Sequence, residues 1–158
     1  LCSSAASDVY KRQELISKGV KYIYSNWIDF LGTPKTKPMP ISDFENLCMG
    51  KGPQFAVHSV SFVPELTPAD NDQVSLPDLD SLVICPWDKT CAWVFADLFW
   101  NGKPYDVCPR MTLKRQIKKS AKADLKFFIG IEPEFFLMKW DGDKPVKAID
   151  LDLSLIHI

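Results

Sequence analysis

The sequence predicts an α+β fold, a small mixed β-sheet packed on helices, and three observations carry that prediction. Asn101-Gly102 is a strong type I′ hairpin signal between an apolar run, Cys91 to Trp100, and Lys103 to Val107. Ser42-Asp43-Phe44-Glu45 has capping-box form, with serine at the N-cap and glutamate three residues on, which predicts a helix over 43–49 ending at Gly50. Runs rich in aromatic and β-branched residues recur between turn signals, at 20–30, 55–63 and 81–84, as strands do.

The two ends are set apart before the elements are taken in order. Asp8-Val9-Tyr10-Lys11-Arg12-Gln13 can be encoded as GAT GTG TAT AAG AGA CAG. The reverse complement of that string translates in frame as Leu153-Ser154-Leu155-Ile156-His157-Ile158. Such an inverted pair resembles a transposon-end adaptor from sequencing libraries, so 1–13 and 153–158 are expected to be adaptor-derived. The natural chain is then expected to be a fragment, 14–152, cut at both ends.

Setting aside Asp8, Lys11 and Arg12 reduces 19 Lys+Arg and 20 Asp+Glu to 17 and 19, a net charge of −2. That balance gives no ground for nucleic-acid or membrane binding. No apolar run is long enough to span a bilayer. The remaining cysteines, Cys48, Cys85, Cys91 and Cys108, form no CxxC pair and follow no secretory segment, so they read as reduced thiols of a cytoplasmic protein. His58 is the one histidine left, which leaves no room for a His-rich metal site or a catalytic triad.

In order, Glu14 to Lys18 reads as the last turn of a helix stopped by Gly19. Val20 to Phe30 is a strand, Leu31 to Pro34 a turn, and Lys35 to Met39 the returning arm, placed at a sheet edge by Pro38. After the 43–49 helix come a strand over Phe55 to Val63, a loop from Pro64 to Asp72, a strand at Ser81 to Ile84, and the longest strand at Cys91 to Trp100. Pro109-Arg110 opens an amphipathic helix over Met111 to Ala123, with Leu113 and Ile117 on one side. Lys114, Arg115, Lys118, Lys119 and Lys122 read as its solvated face, because no aromatics interleave with them as a nucleic-acid patch would require. Leu125 to Ile131 and Glu134 to Trp140 then read as a strand or hairpin, and Asp141-Gly142-Asp143 turns the chain.

Glu132-Pro133-Glu134 sits inside that apolar stretch. On a strand, residues i and i+2 face the same way, about 6.6 Å apart along the chain. Three readings stay open on the residues alone: a surface acid pair on an edge strand, a two-carboxylate glycosidase, or half of a divalent-metal site. The apolar flank Phe135-Phe136-Leu137-Met138 favours burial and so metal.

The order of signals adds a resemblance. Asp29-Phe30-Leu31-Gly32, Leu76-Pro77-Asp78, Pro86-Trp87, Asn101-Gly102-Lys103-Pro104, Cys108-Pro109-Arg110 before a Leu-Lys-Arg helix, and Gly130-x-Glu-Pro-Glu-Phe-Phe follow one another as in the N-terminal third of the glutamine synthetase family. Within it the chain resembles the bacterial branch that includes γ-glutamylmethylamide-type ligases. The resemblance implies a β-grasp domain at 14–107 and the opening helix and strand of a catalytic domain at 108–152. It implies ATP-dependent joining of glutamate to ammonia or a small amine through γ-glutamyl phosphate, with Mg²⁺ or Mn²⁺ held in part by Glu132 and Glu134. It implies a homo-oligomeric ring in the full-length protein, and no activity for the fragment alone. A catalytically silent, structural or regulatory relative is the alternative.

One departure bears on the amine. Where the assimilatory enzymes carry Phe-Asp-Gly-Ser-Ser in a loop that reaches the neighbouring subunit's site, this chain has Phe55-Ala56-Val57-His58-Ser59. The ammonium-binding aspartate is therefore Ala56, and only Ser59 keeps its match to that inter-subunit amine site. Asp72 aligns with a second acid near the same site and fits a loop-solvating role equally well. His58 is open to two readings, a substitute base or a structural histidine.

Overall fold

The structure, a computed structural model, describes residues 5–58 and 66–148. Contacts divide the chain after Asp124 into two units.

In the first unit, helix α1 spans Ala5–Ser17. It stops where predicted: Gly19 takes φ +88°, a conformation that costs a residue with a Cβ, and the Val20 N–H reaches back to the Leu15 carbonyl at 3.0 Å. Most of α1 lies within the stretch set aside as adaptor-derived, which concerns the origin of those residues and not their conformation. Strands β1 (Tyr22–Ile28) and β2 (Pro34–Pro40) form the expected antiparallel hairpin. The Asp29 carboxylate closes its turn by accepting the Leu31 and Thr33 N–H groups.

A 3-10 turn, Ile41–Asp43, leads into α2 (Phe44–Cys48). The expected capping box is not made. Ser42 lies inside the 3-10 turn, the cap position falls on Asp43, and neither cap carries a side-chain hydrogen bond. Strand β3 is Gln54–Phe55, and Val57 and His58 are already helical, so the expected strand over Phe55 to Val63 ends at its first residue as far as the described residues go.

Strand β4 runs Gln73–Ile84, with an irregular register between Asp78 and Val83. It starts eight residues before the strand expected at Ser81 to Ile84, and at 12 residues it exceeds β5 (Cys91–Trp100, 10 residues), which was expected to be the longest. The irregularity explains the error: Pro77 and Asp80 interrupt the pattern without ending the pairing. Asn101 and Gly102 both take positive φ, 50° and 74°, as a type I′ turn requires, and β6 is only Lys103–Pro104.

The sheet order is β2-β1-β5-β4-β3, with β6 on β5 and β1 parallel to β5. One face is covered by the helices. Ile23, Ala92 and Val94 pack with Leu15, Val20, Phe44 and Leu47, and a second cluster joins Trp27, Phe55, Val57, Leu98, Tyr105 and Cys108. β1 alternates accordingly, with Ile23, Ser25 and Trp27 inward and buried. Helix α3 (Pro109–Lys122) begins with its proline in the first turn.

In the second unit the described order is a coil through 125–137, then a hairpin of β7 (Met138–Asp141) and β8 (Lys144–Lys147) turned by Gly142. The expected strands over Leu125 to Ile131 and from Glu134 are not formed before Met138. A strand needs a neighbour to satisfy its N–H and C=O groups, and among the described residues no strand pairs with 125–136, while Leu137 only extends the β7–β8 hairpin through the Ala148 N–H.

Candidate functional site

Two places carry the residues singled out in the sequence, and each lies within one unit. In the first unit, Phe55 stacks on Trp27 with ring centroids 4.2 Å apart and planes 4° from parallel. The Lys37 ammonium lies 5.7 Å from the Phe55 ring centre and donates to the Gln54 carbonyl at 2.6 Å. This clamp anchors the start of the Phe55 to Ser59 stretch.

Phe55 faces Gln73 in antiparallel register, so Ala56 and Asp72 leave the β3–β4 ladder side by side. Asp72 is exposed, while Ala56 and His58 are half-buried. His58 Nδ1 is buried with no hydrogen-bond partner among the described residues. Ser59 lies outside the described residues. The segment before Asp72 is tied to the β5–β6 turn: Asn71 Nδ2 donates to Asn101 Oδ1 at 2.8 Å, and Trp100 Nε1 donates to the Asn71 carbonyl at 2.8 Å. That turn lines an open groove of about 410 Å³ between Trp100, Lys103, Tyr105 and Asp106. The topology thus brings Ala56 and Asp72 to one end of the sheet.

Glu132 and Glu134 lie in the 125–137 coil, and both are exposed. The expectation of a buried strand does not hold in this chain, and the apolar flank meant to bury the acids is itself exposed, Phe136 to 91%. The pair supplies hard oxygen donors, the kind Mg²⁺ and Mn²⁺ take, but a closed site needs more of them. Among the described residues no three His, Cys, Asp or Glu side chains converge as a metal cluster. The pair is therefore chemically suited to part of a cation site.

A third cluster escaped the sequence reading. Arg110 and Lys114, one turn apart on α3, meet two sheet aspartates. Arg110 Nη2 donates to Asp78 at 2.5 Å and Arg110 Nε to Asp97 at 3.1 Å. Lys114 Nζ bonds Asp97 and approaches Asp78 at 3.4 Å, and the Arg110 guanidinium stacks 5.5 Å from the Phe95 ring centre. Burial pulls the Lys114 pKa down, but the hydrogen bond and charge of Asp97, with Asp78 behind them, outweigh it and hold the ammonium above its ordinary value. Lys114 was taken for part of a solvated helix face; it docks α3 on the sheet instead. The i, i+4 spacing was visible, but the acids it meets lie 17 and 36 residues away.

Comparison with known proteins gives the family. The glutamine synthetase catalytic domain matches residues 106–152, a span that holds both glutamates and α3. Glutamine synthetase of Rhizobium meliloti is 37% identical over 133 residues, 84% of this chain and 30% of that protein. The chain belongs to the glutamine synthetase family. A second family member, the glutamate–methylamine ligase of Methyloversatilis universalis, is 31% identical over 81% of this chain and 29% of its own length. Among solved structures, "GmaS/ADP complex-Conformation 1" superposes with a TM-score of 0.65 at 27% identity, covering 72% of this chain and 26% of that one. The chain thus spans about 30% of the length of the relatives it matches. Among the described residues no helix is long and apolar enough to cross a membrane.

Proposed function

We propose that this chain is the N-terminal part of a cytoplasmic, ATP-dependent glutamate–amine ligase acting through γ-glutamyl phosphate, with ammonia or a small alkylamine as acceptor. The observation that carries the reading is similarity across four-fifths of the chain to both a glutamine synthetase and a glutamate–methylamine ligase. The six-stranded sheet, with β1 parallel to β5 and α1 and α2 on one face, supports a β-grasp domain over 14–107. Residues 108–152 then open the catalytic domain.

On this reading Glu132 and Glu134 are two carboxylate ligands of the site's Mg²⁺ or Mn²⁺. Such ions neutralise phosphoryl oxygens and so favour transfer to the glutamate carboxylate. The glutamates' own work is to present fixed negative oxygens from a short stretch, and Pro133 between them restricts the backbone that carries both. The other ligands and the ATP pocket come from chain that the relatives have and this segment does not span, and from neighbouring subunits of a ring.

The amine end is read from the β3–β4 corner. Asp72 and Ser59 are the polar groups proposed to face the amine, and Ala56 removes a carboxylate that would hold ammonium as a cation. Loss of that counter-charge weakens selection for the smallest cation and tolerates an added methyl group. The test is phosphate release dependent on ATP and glutamate, measured on the longer protein with ammonium, methylamine, ethanolamine and a polyamine. Release with ammonium or methylamine is expected, and Ala56→Asp should shift the kcat/KM ratio toward ammonium. No release with any amine would overturn the ligase reading.

A further inference from the structure

Two buried thiols belong to neither site. Cys85 and Cys91 flank the five-residue turn Pro86 to Thr90, one step beyond the last paired residues of β4 and β5, Ile84 and Ala92. The Cys85 N–H donates to the Cys91 carbonyl at 2.9 Å, so the register continues through the pair. Val83 faces Trp93 in the same ladder, and Cys85 and Cys91 lie two residues along each strand from that pair, on the same face. Facing residues of an antiparallel ladder hold their Cα atoms about 4.5–5.5 Å apart, inside the range of about 4.4–6.8 Å that a disulfide spans.

We propose that Cys85 and Cys91 are an oxidative modification site, a thiol pair that a small-molecule disulfide converts to an intrachain disulfide closing the Pro86–Thr90 turn. The roles follow from the surroundings. Cys91 is the more open of the two, at 8% against 1%, and its Sγ donates to Asp88 Oδ2 at 3.3 Å, which holds it at the mouth of the turn. Cys91 therefore attacks first. Its thiolate displaces one glutathione from oxidised glutathione and forms a mixed disulfide. The Cys85 thiolate then attacks the Cys91 sulfur and expels the second glutathione. Two protein thiols become one disulfide, and oxidised glutathione takes up the two electrons and two protons as two reduced molecules. Burial, then the nearby Cys91 and Asp88 charges, push the Cys85 thiol up, which keeps it protonated and disfavours its attack on an external disulfide.

The test uses this chain, native and in urea, equilibrated with oxidised and reduced glutathione, blocked with alkylating agent and digested with trypsin without reduction. Lys89 lies between the two cysteines, so a cut there leaves their peptides joined only through a disulfide. In the native chain two of the five thiols should be lost, with Cys85 joined to Cys91. Cys108→Ser and Cys48→Ser should keep that link, Cys85→Ser should stop at the Cys91 glutathione adduct, and Cys91→Ser should leave Cys85 unmodified. In urea the preference for this pairing should disappear. Native wild-type chain in which both thiols stay alkylatable, or in which either joins another cysteine instead, would overturn the proposal whether or not the serine variants fold.

Discussion

β1 and the 125–137 stretch are both runs of aromatic and aliphatic residues, and they meet opposite fates. β1 lies between β2 and β5, alternates inward and outward, and buries Ile23 under α1 and α2 and Trp27 in the second cluster. The 125–137 stretch has no partner strand among the described residues, and Phe128, Ile131 and Phe136 stay exposed. An apolar run becomes a strand only where a neighbour completes its hydrogen bonds and a second layer covers one face. The relatives extend well beyond this chain, and the exposed stretch lies in the region that matches their catalytic domain.

Substitutions can break this comparison, and the largest contrast is between aromatic residues of the two regions. Phe44→Ala should cost about 3–5 kcal/mol in denaturant unfolding, because Phe44 is buried to 1% exposure in the first core. Phe136→Ala should change the same transition by less than about 0.5 kcal/mol. Equal effects would mean that 125–137 packs as β1 does. Gly52→Ala comes next, since an added Cβ would lie 2.9 Å from the Leu47 Cα, a backbone atom of α2 that has little room to give. A cost of about 1–3 kcal/mol is expected by urea titration, as for other forced insertions into packed sites.

Much of the first region was legible because its signals are local. The β1–β2 hairpin, the Gly19 stop, the Asn101-Gly102 turn and the proline-led α3 each depend on residues within a few positions. What failed was set by distant partners. The capping box at Ser42 gave way to a 3-10 turn, and β4 ran through Pro77 because β5 continued beside it. Glu132 and Glu134 were singled out by residue type and motif, but the buried strand expected to carry them is not formed, because among the described residues no strand lies beside that stretch. The Arg110–Lys114 contacts needed the sheet to bring Asp78 and Asp97 under the helix.

The smallest expected effect concerns that contact. Lys114 has a raised pKa in the folded chain, so its contribution is fully present below the unfolded value of about 10.4 and is lost as pH rises through the folded value. Its side chain is 40% exposed, and solvent screening limits the effect to less than about 1 kcal/mol. Thermal melts from pH 8 to 11 should show wild type losing its advantage over Lys114→Met at the alkaline end. A constant difference across that range would mean that packing, not charge, holds α3 at this point.

The proposed role of Glu132 and Glu134 as metal ligands is measured most directly by Mn²⁺ binding to the longer protein, followed by electron paramagnetic resonance. Glu132→Gln and Glu134→Gln should each weaken Mn²⁺ binding about 10-fold or more, as loss of a charged oxygen ligand does, while the unfolding transition stays within about 0.5 kcal/mol of wild type. Unchanged Mn²⁺ affinity in both variants would contradict the account and leave Glu132-Pro133-Glu134 a surface acid pair.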